Sequence, residues 1–159
     1  CISFYDRFGA GHRRRTGGTL VANLLVMMEF FRGELLPASL EALGQAQRLG
    51  TAFGLSVYAL VPLPSEPDSG DEDLTARCGR YGADKVVMLT GEGLQSEGEM
   101  RFACYSGALL AACAQLPPRL FLLGDTPAAR DIAPRLASRL GAAHLKGRLR
   151  GRNSSFKFE

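Results

Sequence analysis

The sequence predicts an α/β protein, a three-layer αβα sandwich built on a mostly parallel five-stranded sheet. Between residues 23 and 146, five apolar runs of strand length alternate with longer segments. In these longer segments the apolar side chains recur at helical spacing. The apolar runs are nonpolar at almost every position, which is typical of parallel strands covered by helices on both faces. Such an order is built with right-handed crossovers between neighbouring strands.

Five strands follow from these runs. The first is nearly continuously apolar from Leu24 to Met28, and a strand of that composition belongs in the centre of the sheet. The predicted strands are residues 23–30, 55–61, 85–89, 119–123 and 142–146.

The helices are predicted from their end signals as well as from their periodicity. Pro37 and Pro127 stand at first helical positions, where a missing N–H costs nothing, and Thr126 is a good N-cap. Gly54 suits the left-handed residue after a helix, and Pro134 is expected to kink or split the last helix. The predicted helices span residues 37–53, 71–81, 99–115 and 127–140.

Charge divides the chain into three parts. We expect residues 1–20 to be a flexible leader or non-core extension, 21–146 the folded domain, and 147–159 a polar basic tail. Residues 1–18 carry a formal charge of +3 and residues 146–159 carry +4, which leaves the centre at −4. A nucleic-acid-binding face on the domain itself is therefore disfavoured, and binding through the two basic ends stays open as an alternative.

No apolar run approaches the roughly 20 residues that span a bilayer, so no membrane insertion is expected.

The chain shows little catalytic chemistry. Its two histidines, His12 and His144, have no recognisable nucleophile partner, and no G-x-S-x-G motif occurs. The four cysteines show no C-x-x-C spacing, and Cys78, Cys104 and Cys113 fall in predicted helices, where buried free thiols are the common outcome. We predict neither a catalytic nor a metal site.

The best candidate region for binding is the crevice where two central strands end. Glu29 follows the first strand, and Gly124, Asp125 and Thr126 follow the fourth. Open α/β sheets hold ligands at this edge, and the helix after Thr126 could present its first N–H groups to an anion. The competing interpretation is that these residues only turn the chain and cap the helix. A stand-alone nucleotide-binding regulator would use the same crevice.

Arg130, Asp131 and Arg135 form a second candidate site. Asp131 and Arg135 lie four residues apart and can pair on one face of the last helix. A solvated helix face explains this pattern, and so does a docking face for another domain or subunit.

Three blocks in the expected order resemble the first domain of electron-transfer flavoprotein alpha subunits. The first matches the family's opening strand, glycine turn and helix, the second is Gly-Ala-Asp-Lys-Val before a central strand, and the third is the Arg-Asp-apolar-Ala-Pro-Arg block. In this sequence they are Glu29, Gly33, Leu35, Pro37, Ser39, Leu40 and Glu41; Gly82 to Val86; and Gly124, Thr126 and Arg130 to Ala137. Ala129 departs from the pattern, since the family usually has Gly before the Arg.

The resemblance implies a sandwich fold like that of adenine-nucleotide hydrolases, and a role as scaffold and subunit interface in an electron carrier. It implies that FAD is held by the assembled protein, mainly through a second domain, and not by this chain alone. It also implies a beta-like subunit as partner, with acyl-CoA-type or other dehydrogenases as electron donors. It favours the docking interpretation of the Arg130–Asp131 block. We expect a bacterial cytoplasmic protein, with the mitochondrial matrix as the alternative.

Overall fold

The computed structural model describes residues 2–5, 22–31, 34–63, 71–91, 94, 102–147, 149–152 and 155–158. Within these ranges the helices are α1 (Pro37–Phe53), α2 (Asp71–Arg80), α3 (Phe102–Gln115) and α4 (Pro127–Leu140). The strands are β1 (Ile2–Tyr5), β2 (Asn23–Met27), β3 (Phe30–Phe31), β4 (Glu34–Leu35), β5 (Ser56–Leu63), β6 (Lys85–Thr90), β7 (Pro118–Leu122), β8 (Leu149–Arg152) and β9 (Ser155–Phe158).

The main sheet has five strands in the order β1-β6-β5-β2-β7. Strands β2, β5, β6 and β7 are parallel, with Asn23 opposite Ser56 and Leu24 opposite Leu120, and β1 runs antiparallel along β6. The mostly parallel sheet with helices on both faces confirms the predicted fold class.

The sheet separates two hydrophobic cores. Side chains of β2 alternate between them, so that Leu24 and Val26 face α1 and α2 whereas Leu25 and Met27 face α3 and α4. All four are fully buried, which explains why the first apolar run shows no polar alternation.

Local end signals set the limits of α1 and α4. Gly54 (φ 65°) ends α1 in the left-handed conformation, and its N–H donates to the Gly50 carbonyl. Thr126 caps α4 by accepting from the Ala129 N–H at 3.0 Å. The expectation that Pro134 splits this helix is wrong, since α4 is continuous through it. Pro134 lies on the exposed side, where water can satisfy the carbonyl that loses its donor.

The structure differs from the sequence expectations at both ends of the chain. Residues 142–146 are exposed and form no strand, which agrees with the absence of β-branched residues there. The fifth strand of the sheet is instead β1, inside the segment expected to be a flexible leader. The expected polar tail contains the antiparallel pair β8–β9. The rest of residues 1–20 lies outside the described ranges, and the domain limits stay predictions.

None of the helices in the described ranges is both long enough and apolar enough to cross a bilayer.

Candidate functional site

The strand order reverses between β2 and β7. The chain passes from β2 through α1 to β5 on one side, and it later crosses back through α3 to β7 on the other side. In open α/β sheets this reversal places a crevice at the carboxyl ends of the two strands. The structure therefore brings Glu29, after β2, next to residues 124–126, after β7.

The backbone of Glu29 is fixed on both sides by the start of α1. Its N–H donates to Ser39 Oγ at 3.0 Å, and its carbonyl accepts from the Leu36 N–H at 2.8 Å. Ser39 is fully buried. The short pair β3–β4 returns the chain so that α1 begins directly beside the end of β2.

The Glu29 side chain crosses the crevice to Thr126. The Thr126 hydroxyl lies 2.8 Å from both carboxyl oxygens, and the same oxygen accepts from Ala129 N–H, so the hydroxyl proton is free to be donated to Glu29. Glu29 is 2% exposed and Thr126 6%. Burial raises the pKa of the Glu29 carboxyl, and the Thr126 hydrogen bond offsets part of that rise. The contact joins the two sides of the crevice.

Gly124 brings the β7–α4 loop against the first turn of α1. A Cβ at this position would stand 2.8 Å from the Ala38 carbonyl carbon and 2.9 Å from its oxygen, so a larger residue would push the two segments apart. Asp125 does not join the crevice. Its side chain is 74% exposed and pairs with Arg130 at 3.1 Å. Three of the four predicted crevice residues are thus brought together, and Asp125 is not.

Asp131 connects the two helices of the second core. Its Oδ2 accepts from the Phe102 N–H at 3.0 Å and so caps α3, while its Oδ1 pairs with Arg135 Nε at 3.0 Å. The ion pair was predicted from sequence spacing, but the cap was missed. A signal for it existed, because Met100 and Arg101 offer no capping side chain to the helix that follows them.

Other candidate chemistry is sparse in the part of the chain that the structure describes. No three His, Cys, Asp or Glu side chains come together there as metal ligands, and His144 is exposed. Cys78 and Cys113 are buried, and burial raises the pKa of each thiol to about 11. The expectation of burial is wrong for Cys104, which is exposed on α3.

An open parallel sheet, helices on both faces and a reversal of strand order at β2 and β7 together define a doubly wound α/β domain. The chain belongs to the electron transfer flavoprotein domain family, whose sequence pattern matches residues 24–146. This confirms the resemblance found in the three sequence blocks.

Relatives of known name share this domain. The chain is 30% identical over 121 residues to Protein FixB of Azotobacter vinelandii, covering 76% of this chain and 32% of FixB. It is 29% identical to the electron transfer flavoprotein subunit alpha of Thermoanaerobacterium thermosaccharolyticum, covering 74% and 33%. It is 28% identical to the lactate dehydrogenase (NAD(+),ferredoxin) subunit LctC of Acetobacterium woodii, covering 76% and 27%. The chain thus spans about a third of the length of these relatives.

Among solved structures, a universal stress protein in complex with cAMP aligns at a TM-score of 0.45 and 14% identity, covering 76% of this chain and 92% of that one.

Proposed function

We propose that this chain acts as the scaffold and subunit-interface domain of an alpha-type electron transfer flavoprotein. The observation that carries the proposal is the family match over residues 24–146, together with relatives named as an electron transfer flavoprotein alpha subunit and as FixB. In this role the domain supports electron transfer from dehydrogenases, of the acyl-CoA type or another type, without a catalytic group of its own.

The buried side chains at the strand-end crevice support the view that this domain does not hold the flavin. Glu29 and Thr126 make a buried contact there, and the carboxyl group of Glu29 lies at the cap of α4, where a cofactor phosphate would approach that helix. We therefore infer that FAD in the assembled protein is held by polypeptide other than this chain.

The exposed face of α4 is our candidate for the subunit interface. Arg130 and Arg135 are 59% and 61% exposed, so both are accessible to a beta-like subunit. Asp131 contributes differently, since its carboxylate is committed to α3 and to Arg135. It would hold the arginine in place while α3 and α4 stay joined.

Co-expression with a beta-like subunit tests this proposal. We expect the two chains to co-purify, and Arg130→Glu to weaken the association because it reverses a charge on the docking face. Arg48→Glu on α1, which reverses another exposed arginine on the other side of the sheet, is the matched control. Equal effects of the two variants would reject the α4 interface, and stoichiometric flavin absorbance on the purified chain alone would contradict the scaffold role.

The nucleotide-binding alternative has a direct test. Calorimetric titration of the purified chain with AMP, ATP and FAD is expected to give no binding heat, because the buried Glu29–Thr126 contact lies in the crevice. The relatives named above are bacterial, and we propose a bacterial cytoplasmic location in keeping with them.

A further inference from the structure

Two helices begin at the strand-end crevice, and neither carries an acidic residue in its first turn. α1 starts at Pro37 and α4 at Pro127, and the contact of Gly124 with Ala38 makes their starts neighbours. The first N–H groups of a helix and its dipole attract negative charge, which is why ligand phosphates bind at such positions in open α/β sheets. The two helix dipoles therefore favour negative charge in the crevice, although Pro37 and Pro127 lack an N–H and Ala129 N–H is already bonded to Thr126.

The acidic group found there belongs to the chain itself. Glu29 reaches the cap of α4 through Thr126, and its own backbone is bonded to Leu36 and Ser39 at the start of α1. With 2% of the residue exposed, its side chain is enclosed in this space. A ligand could enter only by displacing it.

Burial makes an ionised carboxylate costly at this position. Among the residues that the structure describes, the hydroxyl of Thr126 donates to this carboxyl, and burial raises the carboxyl pKa despite that bond. A buried ionised group held this way costs free energy that a neutral side chain of equal length would not. Exclusion of other anions from the crevice is a better explanation for the carboxylate.

We propose that Glu29 is a built-in occupant of the crevice that excludes phosphate-bearing ligands, by filling the space and by repelling their charge. This proposal rests on the proposed function and extends it. It gives a reason why the cofactor is bound by polypeptide other than this domain. Its test involves neither flavin nor the beta-like subunit, so the two proposals can fail separately.

The test compares Glu29→Ala with Glu41→Ala, which removes an exposed carboxylate from the same region of α1. Calorimetry and thermal unfolding are run with inorganic phosphate and with AMP. We expect saturable binding to Glu29→Ala and none to wild type or Glu41→Ala. At ten times its Kd, the ligand should raise the folding equilibrium constant of Glu29→Ala about elevenfold. A folded Glu29→Ala that binds neither probe more tightly than wild type does would overturn the proposal.

Glu29→Gln keeps the volume and removes the charge, so it remains informative if Glu29→Ala does not fold. We expect it to fold, to bind no phosphate because the crevice stays filled, and to be at least as stable as wild type at pH 8. A clear loss of stability in urea at that pH would assign the carboxylate a structural role and would refute its role in exclusion.

Discussion

Replacing Asp131 with Ala should destabilise the domain mainly because helix α3 loses its cap, and to a lesser extent because the ion pair with Arg135 is lost. The substitution removes the acceptor that lies 3.0 Å from the Phe102 N–H, and Phe102 is 7% exposed, so water replaces that acceptor poorly. Loss of a helix cap costs about 1 kcal/mol, and an exposed pair four residues apart adds about 0.3–0.5 kcal/mol. We therefore expect Asp131→Ala to cost about 1.5 kcal/mol. For a domain of this length that lowers Tm by roughly 3–6 °C, since 1 kcal/mol corresponds to about 2–4 °C.

Two further variants separate the contributions. Arg135→Ala removes only the pair and should cost about 0.3–0.5 kcal/mol. Asp131→Asn keeps an oxygen that can accept from Phe102 and should fall between the two. Urea unfolding followed by circular dichroism measures all three, and amide hydrogen exchange should show faster exchange in the first turn of α3 only for Asp131→Ala. Equal losses for Asp131→Ala and Arg135→Ala would refute the cap as the main contribution.

The remaining predictions concern packing, glycine positions and pH. Leu109→Ala empties a fully buried position of the second core and should cost about 2–5 kcal/mol in urea unfolding; a loss below 1 kcal/mol would contradict the packing described. Gly124→Ala should destabilise by about 1–3 kcal/mol because its Cβ meets the Ala38 backbone, whereas Gly107→Ala, an exposed mid-helix position with open space around it, should stabilise by about 0.5–1 kcal/mol. The same sign for both glycine variants would be inconsistent with the structure. Because the folded-state pKa of Glu29 lies above its ordinary value of 4.5, its protonated form favours folding below that pH, and the benefit is lost as pH rises through the folded-state pKa. In urea unfolding at a series of pH values, the stability of wild type relative to Glu29→Gln should therefore fall as pH rises from 4.5 to the folded-state pKa. A difference in stability that does not change with pH would show that the pKa is not raised.

The central part of the fold could be predicted because its signals are local. A continuous apolar run marks β2, and Pro37, Thr126 and Pro127 mark helix starts that the structure reproduces. The sheet edges could not be predicted in the same way. β1 becomes a strand through its long-range pairing with β6, and no neighbouring residue announces that partner.

The candidate site shows the same division. The expectation of a doubly wound sheet placed Glu29 beside Thr126, because such a sheet brings together the carboxyl ends of the two strands where the crossover direction reverses. The cap that Asp131 provides to Phe102 depends on packing between two residues that lie 29 positions apart in the sequence. The direction of the Asp125 side chain depends on its exposure to solvent. Spacing along the chain carries no information about either.

The division of the interior by the sheet has an evolutionary consequence. Leu24 and Leu25 are neighbours in sequence, yet they belong to different cores, and the strand backbone stands between them. Energetic coupling between substitutions decays when they share no contacts. A change at Leu43, on the buried face of α1, and one at Leu109, on the buried face of α3, should then add their effects, so that each side of the molecule is able to diverge without compensation from the other.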